Sequence, residues 1–415
     1  MGGAEYTPPG GGATAFTDLT DAPAFSGNGL RNLRLGETAA ALEFRHDTNE
    51  VINVEEARSD IRSITRSGYS TYNSYAGLQA LIDGAGEYKT FRFPANSRFN
   101  LGGSALITKA EGQSFVSEGI GCELQSGGFD IRNRLTNING FFLTGATPVY
   151  GVHVNIPSTS TLSTQNRFQT SNYNYFAHNR YENLFIQGKS KGFYVSSSYG
   201  TWSVTRYVRI WNCAEGLTIS MLDHALDTGH SVYYGVHAQS CSTAGFYIIK
   251  NGGLTMTDCK AWDCPSNLLI EPTAAVGSLS TGPNGLYFSN CQFEDPSSGG
   301  QAVKISAHAS LAATFYPRNI MFVGGTMHSF LMDKFKQVSM NGVLLAGTGN
   351  FTYNTPGVDL QIYGGGCDPE ALDIITKIGG TGLDYVIYGS NPTQGPVIKT
   401  GRRLRLIDST GSKLL

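Results

Sequence analysis

A short phrase recurs between residues 181 and 326 and constrains this chain more than any other feature. Two to four apolar or β-branched residues run into a small or polar residue, often a cysteine, and a second apolar run follows a glycine. The fullest copies are residues 207–219 and 234–248, and the first half returns at 182–186, 254–259, 286–291 and 320–325. Each copy predicts an alternating strand between turn residues.

Strands this short cannot bury their apolar faces alone. Stacking solves this, because each inward side chain then lies on its counterpart from the neighbouring repeat. The phrase places Cys213, Cys241, Cys259 and Cys291 at one point of the repeat, and their irregular intervals are typical of coils with loops of different length. We therefore predict an all-β solenoid, with an ordinary β-sandwich as the alternative.

The composition of the 415 residues is β-rich and turn-rich, since only 15% are charged and glycine is abundant. A formal net charge of −2 gives no basic footprint, so we expect no nucleic-acid partner. No apolar run approaches the ~20 residues of a membrane span, and the first residues lack the features of a secretory signal. The sequence therefore predicts neither membrane insertion nor a secretory signal.

The seven cysteines are an odd number in a chain without a predicted export signal. Because four share a place in the repeat, we interpret them as buried, reduced packing residues. Cys259 and Cys264 lack the second pair that a zinc site requires. His224, His230 and His237 are close only in sequence. We expect no metal and no cofactor.

Residues 16–44 combine an Asp-x-Pro turn, a Gly-Asn-Gly turn and two short strands predicted to flank the latter. The pattern resembles a short element of bacteriophage structural proteins, found near the ends of tail-fibre and tailspike chains, although Gly36 stands where that element usually has Asn. The resemblance implies a homotrimeric virion protein, attached to other virion proteins through residues 1–50. The matching residues are Leu19, Asp21, Pro23, Gly29, Leu33, Leu35, Leu42, Glu43 and Phe44.

Residues 75–83 predict a short amphipathic helix with apolar positions 78, 81 and 82. A strand ending in Phe93-Pro94 and a Gly-Ile-Gly loop at 119–121 follow. This order resembles the opening of the pectate-lyase-like superfamily, in which a small helix caps the first coil of a right-handed parallel β-helix. The resemblance spans residues 75–340 and implies that fold. It implies no particular chemistry, because the fold hosts lyases, hydrolases and inert binders.

We predict a chain with a virion anchor at 1–50, a neck at 51–74, a right-handed parallel β-helix with its cap helix at 75–340, and a C-terminal β region at 341–415. The C-terminal region is expected to close the stack and hold subunits together. Residues 155–180 interrupt the strand pattern, and a loop of this length is typically functional or disordered.

Sugar recognition combines aromatic platforms with hydrogen-bonding side chains, because pyranose rings have apolar faces and hydroxyl rims. All three tryptophans fall within the repeats. For Trp211 and Trp262, packing in the core is the alternative. The candidate binding residues are Trp202, Tyr199, Trp211, Trp262, Tyr173 and Tyr175.

Glycoside cleavage requires two carboxyl groups, about 5–5.5 Å apart for retention or 6.5–9.5 Å for inversion. Coils stack at ~4.8 Å, so carboxylates on one face of neighbouring coils meet either requirement. Asp258 is better explained as a turn residue, and no segment shows the paired aspartates with nearby Arg or Lys that uronate lyases use. The catalytic candidates are Glu294, Asp295, Asp263 and Glu215.

Two functions remain open at this point. The first, which the missing catalytic signature favours, is a non-enzymatic spike or fibre of a phage or phage-like particle that attaches to host surface polysaccharide. Such a chain is assembled in the bacterial cytoplasm and resides on the virion. The alternative is a depolymerase, either a glycoside hydrolase or a lyase, that acts on capsule or lipopolysaccharide. A cellular polysaccharide lyase is disfavoured by the phage-like N-terminal pattern.

Overall fold

The protein winds into a three-sided parallel β-helix. The computed structural model describes residues 51–346, apart from positions 66–67, 69–70, 119–120, 157–176, 198–201, 223–229, 279–280 and 298, together with the backbone of further strands on either side. The predicted anchor residues Leu19, Asp21 and Pro23 lie outside the described residues.

The first elements are β1 (Arg31–Leu35), β2 (Leu42–His46), β3 (Val51–Asn53), α1 (Val54–Ala57), β4 (Ile64–Thr65) and α2 (Tyr75–Ala85). The coils follow as β5 (Thr90–Phe93), β6 (Ser97–Asn100), β7 (Ala105–Thr108); β8 (Ser114–Ser117), β9 (Cys122–Gln125), β10 (Gly128–Ile131); β11 (Asn137–Asn139), β12 (Phe141–Thr144), β13 (Tyr150–Val154); β14 (Arg180–Glu182), β15 (Phe185–Gln187), β16 (Lys191–Val195); β17 (Val204–Arg206), β18 (Arg209–Trp211), β19 (Glu215–Ser220); β20 (Ser231–Tyr234), β21 (His237–Gln239), β22 (Ala244–Lys250); β23 (Leu254–Thr257), β24 (Lys260–Trp262), β25 (Ser266–Ile270); β26 (Asn284–Ser289), β27 (Gln292–Glu294), β28 (Gln301–Ile305); β29 (Arg318–Val323), β30 (Thr326–Met327), β31 (Phe330–Asp333); β32 (Gln337–Asn341), β33 (Leu344–Leu345), β34 (Phe351–Asn354); β35 (Asp359–Tyr363), β36 (Ile375–Lys377), β37 (Tyr385–Tyr388) and β38 (Leu404–Leu406). Short 3-10 helices at Ala274–Ser278 and Ala313–Phe315 connect third strands to the next coil.

Each complete coil contributes one strand to each of three sheets, called the first, second and third sheet after the order of strands in the coil. In the described part of the chain the first sheet has 14 strands and the other two have 11 each. Neighbours are parallel, with the exception of β4 against β6. The helix is right-handed. Parallel pairing of every third strand confirms the predicted fold class and excludes the sandwich, whose sheets are antiparallel.

Apolar ladders fill the interior. The middle residue of each short strand in the second sheet points inward and pairs in register with its counterpart in the next coil. All of these residues are buried, and they include Ile186, Ile210, Ala238, Ala261 and Phe293. In these three-residue strands, the middle residue therefore faces the interior and the first and third residues face outward, as the alternation in the sequence predicts.

Helix α2 covers the N-terminal end of the stack, as predicted. Leu78 and Ile82 are buried and Leu81 packs against the core. Gln79 exchanges two hydrogen bonds with Ile107 of β7: Nε2 donates to the carbonyl oxygen at 3.0 Å, and Oε1 accepts from the amide at 2.8 Å. The side-chain amide thus pairs with an edge strand of the third sheet, whose backbone groups would otherwise be open.

The cysteines follow two different corners of the coil. Cys213, Cys241 and Cys264 follow the corner between second and third strands, whereas Cys259 and Cys291 follow the corner between first and second strands. The prediction that the repeated cysteines share one position is therefore wrong. Both corners place a small buried residue after a left-handed one, so the sequence pattern looks the same at each.

The six described cysteines are buried, and no disulfide joins any two of them. This confirms their interpretation as reduced packing residues, while Cys367 lies outside the described residues.

The glycine of the repeated phrase is the second residue of the third strands, as at Gly192 and Gly216. A Cβ on Gly192 would lie 2.8 Å from the carbonyl oxygen of Gly216 in the next coil and 2.4 Å from Cγ2 of Ile210. Real Cβ atoms do not approach other atoms this closely, so only glycine lets successive coils stack here.

Strands β1 and β2 form an antiparallel hairpin. Leu42, Glu43 and Phe44 belong to its second strand. Both strands follow the Gly-Asn-Gly of residues 27–29, so the prediction that they flank that turn is wrong, and their connection is at 36–41. The reason is that the alternating segment Arg31–Leu35 begins only after the glycines.

Parallel pairing continues across residue 340. Strand β34 pairs with β31 and β36, and β35 pairs with β32 and β37. At the other end, β3 and β4 of the predicted neck pair with β5 and β6. Strand pairing shows no break at the predicted boundaries, which stay predictions.

Candidate functional site

Two columns of polar and aromatic side chains project outward from the third sheet. Neighbours in a column come from successive coils, about 4.8 Å apart. The first column is Tyr150, Lys191 and Glu215, and the second is Asp130, His153, Tyr194 and Thr218. With Arg132 and Ser196, which contact the second column, these residues are called the His153 cluster.

His153 lies at the centre of the cluster. Its ring centroid is 4.3 Å from that of Tyr150 and 4.9 Å from that of Tyr194, to which it is nearly parallel. Nε2 of His153 lies 2.7 Å from the hydroxyl of Ser196. The imidazole is therefore held in place from three sides and is only 9% exposed.

Asp130 is buried beside this histidine. Its Oδ2 accepts a hydrogen bond from Arg132 Nε at 2.8 Å. Its Oδ1 lies 3.6 Å from His153 Nδ1, which is too long for a hydrogen bond. Among the described residues, neither Oδ1 nor Nδ1 has a hydrogen-bond partner. Unpaired polar atoms are rare in protein interiors, so this pair calls for an explanation such as proton transfer or a bound ligand.

Burial lowers the pKa of His153 to about 4, an effect that Asp130 opposes and that Arg132 and Lys191 reinforce. The imidazole is therefore neutral at pH 7 and can accept a proton. Burial, followed by the charge of Asp130, raises the pKa of Tyr150, whose hydroxyl is therefore protonated. A proton acceptor and a proton donor thus stand side by side.

Lys191 places a second cation at the cluster, besides Arg132. Its Nζ lies 4.2 Å from the ring centroid of Tyr194 and 3.3 Å from Oε2 of Glu215. The same Glu215 oxygen accepts a hydrogen bond from Thr218 at 2.7 Å. The side chains of Arg132 and Lys191 are 46% and 26% exposed, so both can reach a ligand. The cluster can bind an anionic group and has proton-transfer groups beside it.

The sequence-predicted tryptophans lie on a different face. Trp211 and Trp262 are third residues of β18 and β24, in one outward column of the second sheet with Gln239 between them. Trp211 is 40% exposed. The alternative that these two rings pack in the core is therefore wrong, because the inward position of each strand is the middle one.

The predicted carboxylates lie in two separate places. Glu215 belongs to the His153 cluster, whereas Glu294 projects from the second sheet and contacts Lys260 at 2.7 Å. Asp263 and Asp295 occupy the corner between the second and third strands in left-handed conformation, with φ of 57° and 43°. Asp263 and Asp295 are neighbours at this corner, where the amide of Asp263 donates to the carbonyl oxygen of Asp295 at 2.8 Å. Ser240 donates to Oδ2 of Asp263 at 2.7 Å, and Nδ1 of His328 lies 3.0 Å from Oδ1 of Asp295.

Asp258 has the turn role that the sequence predicts. Its φ is 52°, and its Oδ1 accepts a hydrogen bond from Asn290 Nδ2 at 2.6 Å, from the equivalent corner of the next coil.

Trp202 is 45% exposed at the start of its coil, where its amide donates to the carbonyl oxygen of His230 at 2.8 Å. Tyr199, Tyr173 and Tyr175 lie outside the described residues.

Sequence reasoning missed most of the His153 cluster, namely Asp130, Arg132, Tyr150, His153, Lys191 and Tyr194. The available signal was a charged or aromatic residue at an outward position of a strand, as in Phe129-Asp130-Ile131. Single outward positions are not distinctive. The cluster becomes visible only once the register places them in adjacent columns.

Among the described residues, no group of three or more His, Cys, Asp or Glu side chains could hold a metal ion. Likewise, no described helix is long and apolar enough to cross a membrane.

No family profile and no curated protein sequence matches this chain. Among solved structures, it is similar to the A-module of the mannuronan C-5 epimerase AlgE4 from Azotobacter vinelandii, with a TM-score of 0.45 and 13% identity over 88% of this chain and 90% of that one. The A-module of the mannuronan C-5 epimerase AlgE6 from the same organism gives 0.38 and 14% over 82% and 87%. At these scores the likeness carries no argument about chemistry, which must come from the site itself.

Proposed function

We propose that this protein binds an acidic polysaccharide and cleaves it at the His153 cluster. The observation that supports the proposal is the juxtaposition of two cations, Arg132 and Lys191, with two proton-transfer groups, Tyr150 and His153, on one outward face. An acidic sugar offers a carboxylate to the cations and a proton, on the carbon next to that carboxylate, to the transfer groups. The structure thus favours the depolymerase over an adhesion-only spike.

β-Elimination fits these groups. Arg132 and Lys191 neutralise the substrate carboxylate, which makes the hydrogen on the adjacent carbon more acidic. A base removes that proton, its electron pair forms a carbon–carbon double bond, and the neighbouring glycosidic carbon–oxygen bond breaks. The leaving oxygen then takes a proton. Tyr150 and His153 are assigned to these two transfers, and bonds and protons balance without a cofactor.

Hydrolysis by paired carboxyl groups fits less well. That reaction requires an acid and a base or nucleophile that both reach the glycosidic bond. Asp130 is only 4% exposed and accepts a hydrogen bond from Arg132 Nε, so it positions that side chain and does not contact the substrate. Of the sequence-predicted carboxylates, Glu215 is the one that lies in the His153 cluster. The cluster therefore lacks the second predicted carboxyl group that this hydrolysis requires.

We further propose that the chain is a homotrimeric spike or fibre of a phage or phage-like particle, attached through residues 1–50. The N-terminal sequence pattern that ends in Leu42, Glu43 and Phe44 supports this setting. Detection of the chain in purified particles, with a trimer mass in solution, would support it. A monomer that never co-purifies with particles would overturn it.

The proposed activity is tested by incubating the full-length protein with polymannuronate, polygalacturonate and dextran. We expect shorter chains with unsaturated uronate ends from at least one uronate polymer and no products from neutral dextran. Reducing ends without unsaturation would contradict elimination and indicate hydrolysis. Uncut polymers of all three kinds would overturn the proposed cleavage.

A further inference from the structure

The outward face of the second sheet carries aromatic and polar side chains in a repeating order. Strand β18 presents a cation and a ring, β21 an amide at the position of that ring, β24 a cation and a ring again, and β27 a carboxylate. This surface is called the tryptophan face. It consists of Arg209, Trp211, Gln239, Lys260, Trp262 and Glu294.

We propose that the tryptophan face is a second binding surface for the same acidic polysaccharide, separate from the cluster that cleaves it. This inference rests on the proposed function for the choice of polymer. The face is built from second-sheet strands, whereas the His153 cluster is built from the third sheet. The two surfaces therefore hold different stretches of a polymer.

The spacing of the rings suits an extended sugar chain. Trp211 and Trp262 occupy one column two coils apart, a distance of about 9.6 Å at ~4.8 Å per coil. The amide of Gln239 lies between them and can bond to sugar hydroxyls. Rings two coils apart match alternate sugars of a chain that runs along the helix axis, and each ring offers an apolar platform.

Charge on this face selects an acidic polymer. Lys260 is engaged by Glu294 at 2.7 Å, and its Nζ lies 5.4 Å from the ring centroid of Trp262. Arg209 is exposed and forms no ion pair with any described residue. Its guanidinium, two residues before Trp211 on the same face, is placed to bind the carboxylate of a sugar that stacks on that ring.

A second copy of the chain fits this face less well. The centres of subunit interfaces are depleted in charged residues and enriched in continuous apolar surface. Here Arg209, Lys260 and Glu294 alternate with the rings. Mixed rings, amides and charges are the chemistry that sugar recognition uses.

The test measures migration of the full-length protein through native gels that contain polymannuronate, polygalacturonate or dextran. All proteins carry Lys191→Met, which removes a cation of the His153 cluster. The variant on this background combines Trp211→Ala and Trp262→Ala. The matched control is Tyr207→Ala, which removes another exposed ring at a corner of the first sheet, and thermal unfolding checks that every protein is folded.

We expect the background protein to be retarded in at least one uronate gel and not in the dextran gel. The Tyr207→Ala control should keep this retardation. Removing both rings should weaken binding by about 10-fold or more, which corresponds to about 1.4 kcal/mol. Equal retardation of the double variant, or no retardation of the background protein, would overturn the proposal. So would dimers that form without polysaccharide and disappear in the double variant. Cleavage is measured separately, from unsaturated products. Failure of the binding proposal and failure of the cleavage proposal therefore give different results.

Discussion

Oδ1 of Asp130 lies 3.6 Å from Nδ1 of His153, and neither atom has a hydrogen-bond partner among the described residues. The imidazole is neutral in the resting protein because burial disfavours its charge. Once His153 accepts a proton, the neighbouring carboxylate stabilises the imidazolium. The pair is therefore suited to hold a proton briefly, as elimination requires.

The depressed pKa of His153 predicts how stability depends on pH. The unfolded chain binds a proton below the ordinary pKa of 6.5, whereas the folded protein does so only near 4, so unfolding takes up a proton between these values. Stability contributed by this site is complete above about pH 6.5 and falls as pH is lowered towards 4.

Replacing His153 by Asn should flatten that dependence by up to about 1.4 kcal/mol per pH unit. Urea unfolding of both proteins, at neutral pH and near pH 5, measures the difference. Parallel pH profiles would show that His153 is not buried as a neutral group.

Lys191→Met should raise the KM for an acidic polysaccharide on the order of 10- to 100-fold. A bond to a charged group contributes about 1.5–3 kcal/mol, and each 1.4 kcal/mol is tenfold in affinity. Steady-state kinetics on the cleaved polymer measures the effect. Lys109→Met is the matched control, because Lys109 also pairs with a carboxylate, Asp83 at 2.9 Å, but lies beside the cap helix. Equal KM values for the two variants would show that Lys191 does not bind the substrate.

Gly192→Ala should lower the free energy of unfolding by about 1–3 kcal/mol, the usual cost of overpacking. The added carbon would collide with the next coil at 2.8 Å. Gly84→Ala in α2 is the control, since a Cβ there meets nothing within 4 Å and alanine favours helix. Chemical denaturation of both variants decides the point. An unchanged stability of Gly192→Ala would mean that the coils can separate at this position.

Lys189→Met should destabilise the protein by at least about 2 kcal/mol, because buried carbonyls left unpaired cost about 1–3 kcal/mol each. Lys189 is 2% exposed, and its Nζ donates to the carbonyl oxygens of Gly127, Thr144 and Thr147 at 2.8, 3.0 and 2.9 Å. Thermal unfolding beside the exposed-site variant Lys109→Met measures the loss. Equal melting temperatures would contradict this role.

The fold was predictable from the sequence because strands and corners recur from coil to coil, glycine recurs in several third strands, and the cap helix has a pattern of its own. The two cysteine corners were not distinguished, since Asn212 before Cys213 and Asn290 before Cys291 look alike until the strands are assigned to sheets.

The residues of the site come together through the register between neighbouring coils. Loops of different length prevent that register from being predicted from the sequence repeat. Tyr150 and Lys191 are direct partners in neighbouring coils, yet the long segment 155–180 lies between them in the chain. Tryptophans are rare, so the sequence alone predicts a binding role for those on the second sheet. Asp130 and His153 are common residue types, and only their burial and the distance between them identify them as candidates.

The most direct test of the central claim compares wild type with Tyr150→Phe for release of unsaturated uronate ends. The substitution removes one hydroxyl and keeps the ring that packs on His153 at 4.3 Å. We predict that kcat falls by about 10²–10⁴-fold while KM changes little. Tyr207→Phe, at an exposed corner, should cleave as wild type does. Cleavage by Tyr150→Phe at the wild-type rate would contradict the account.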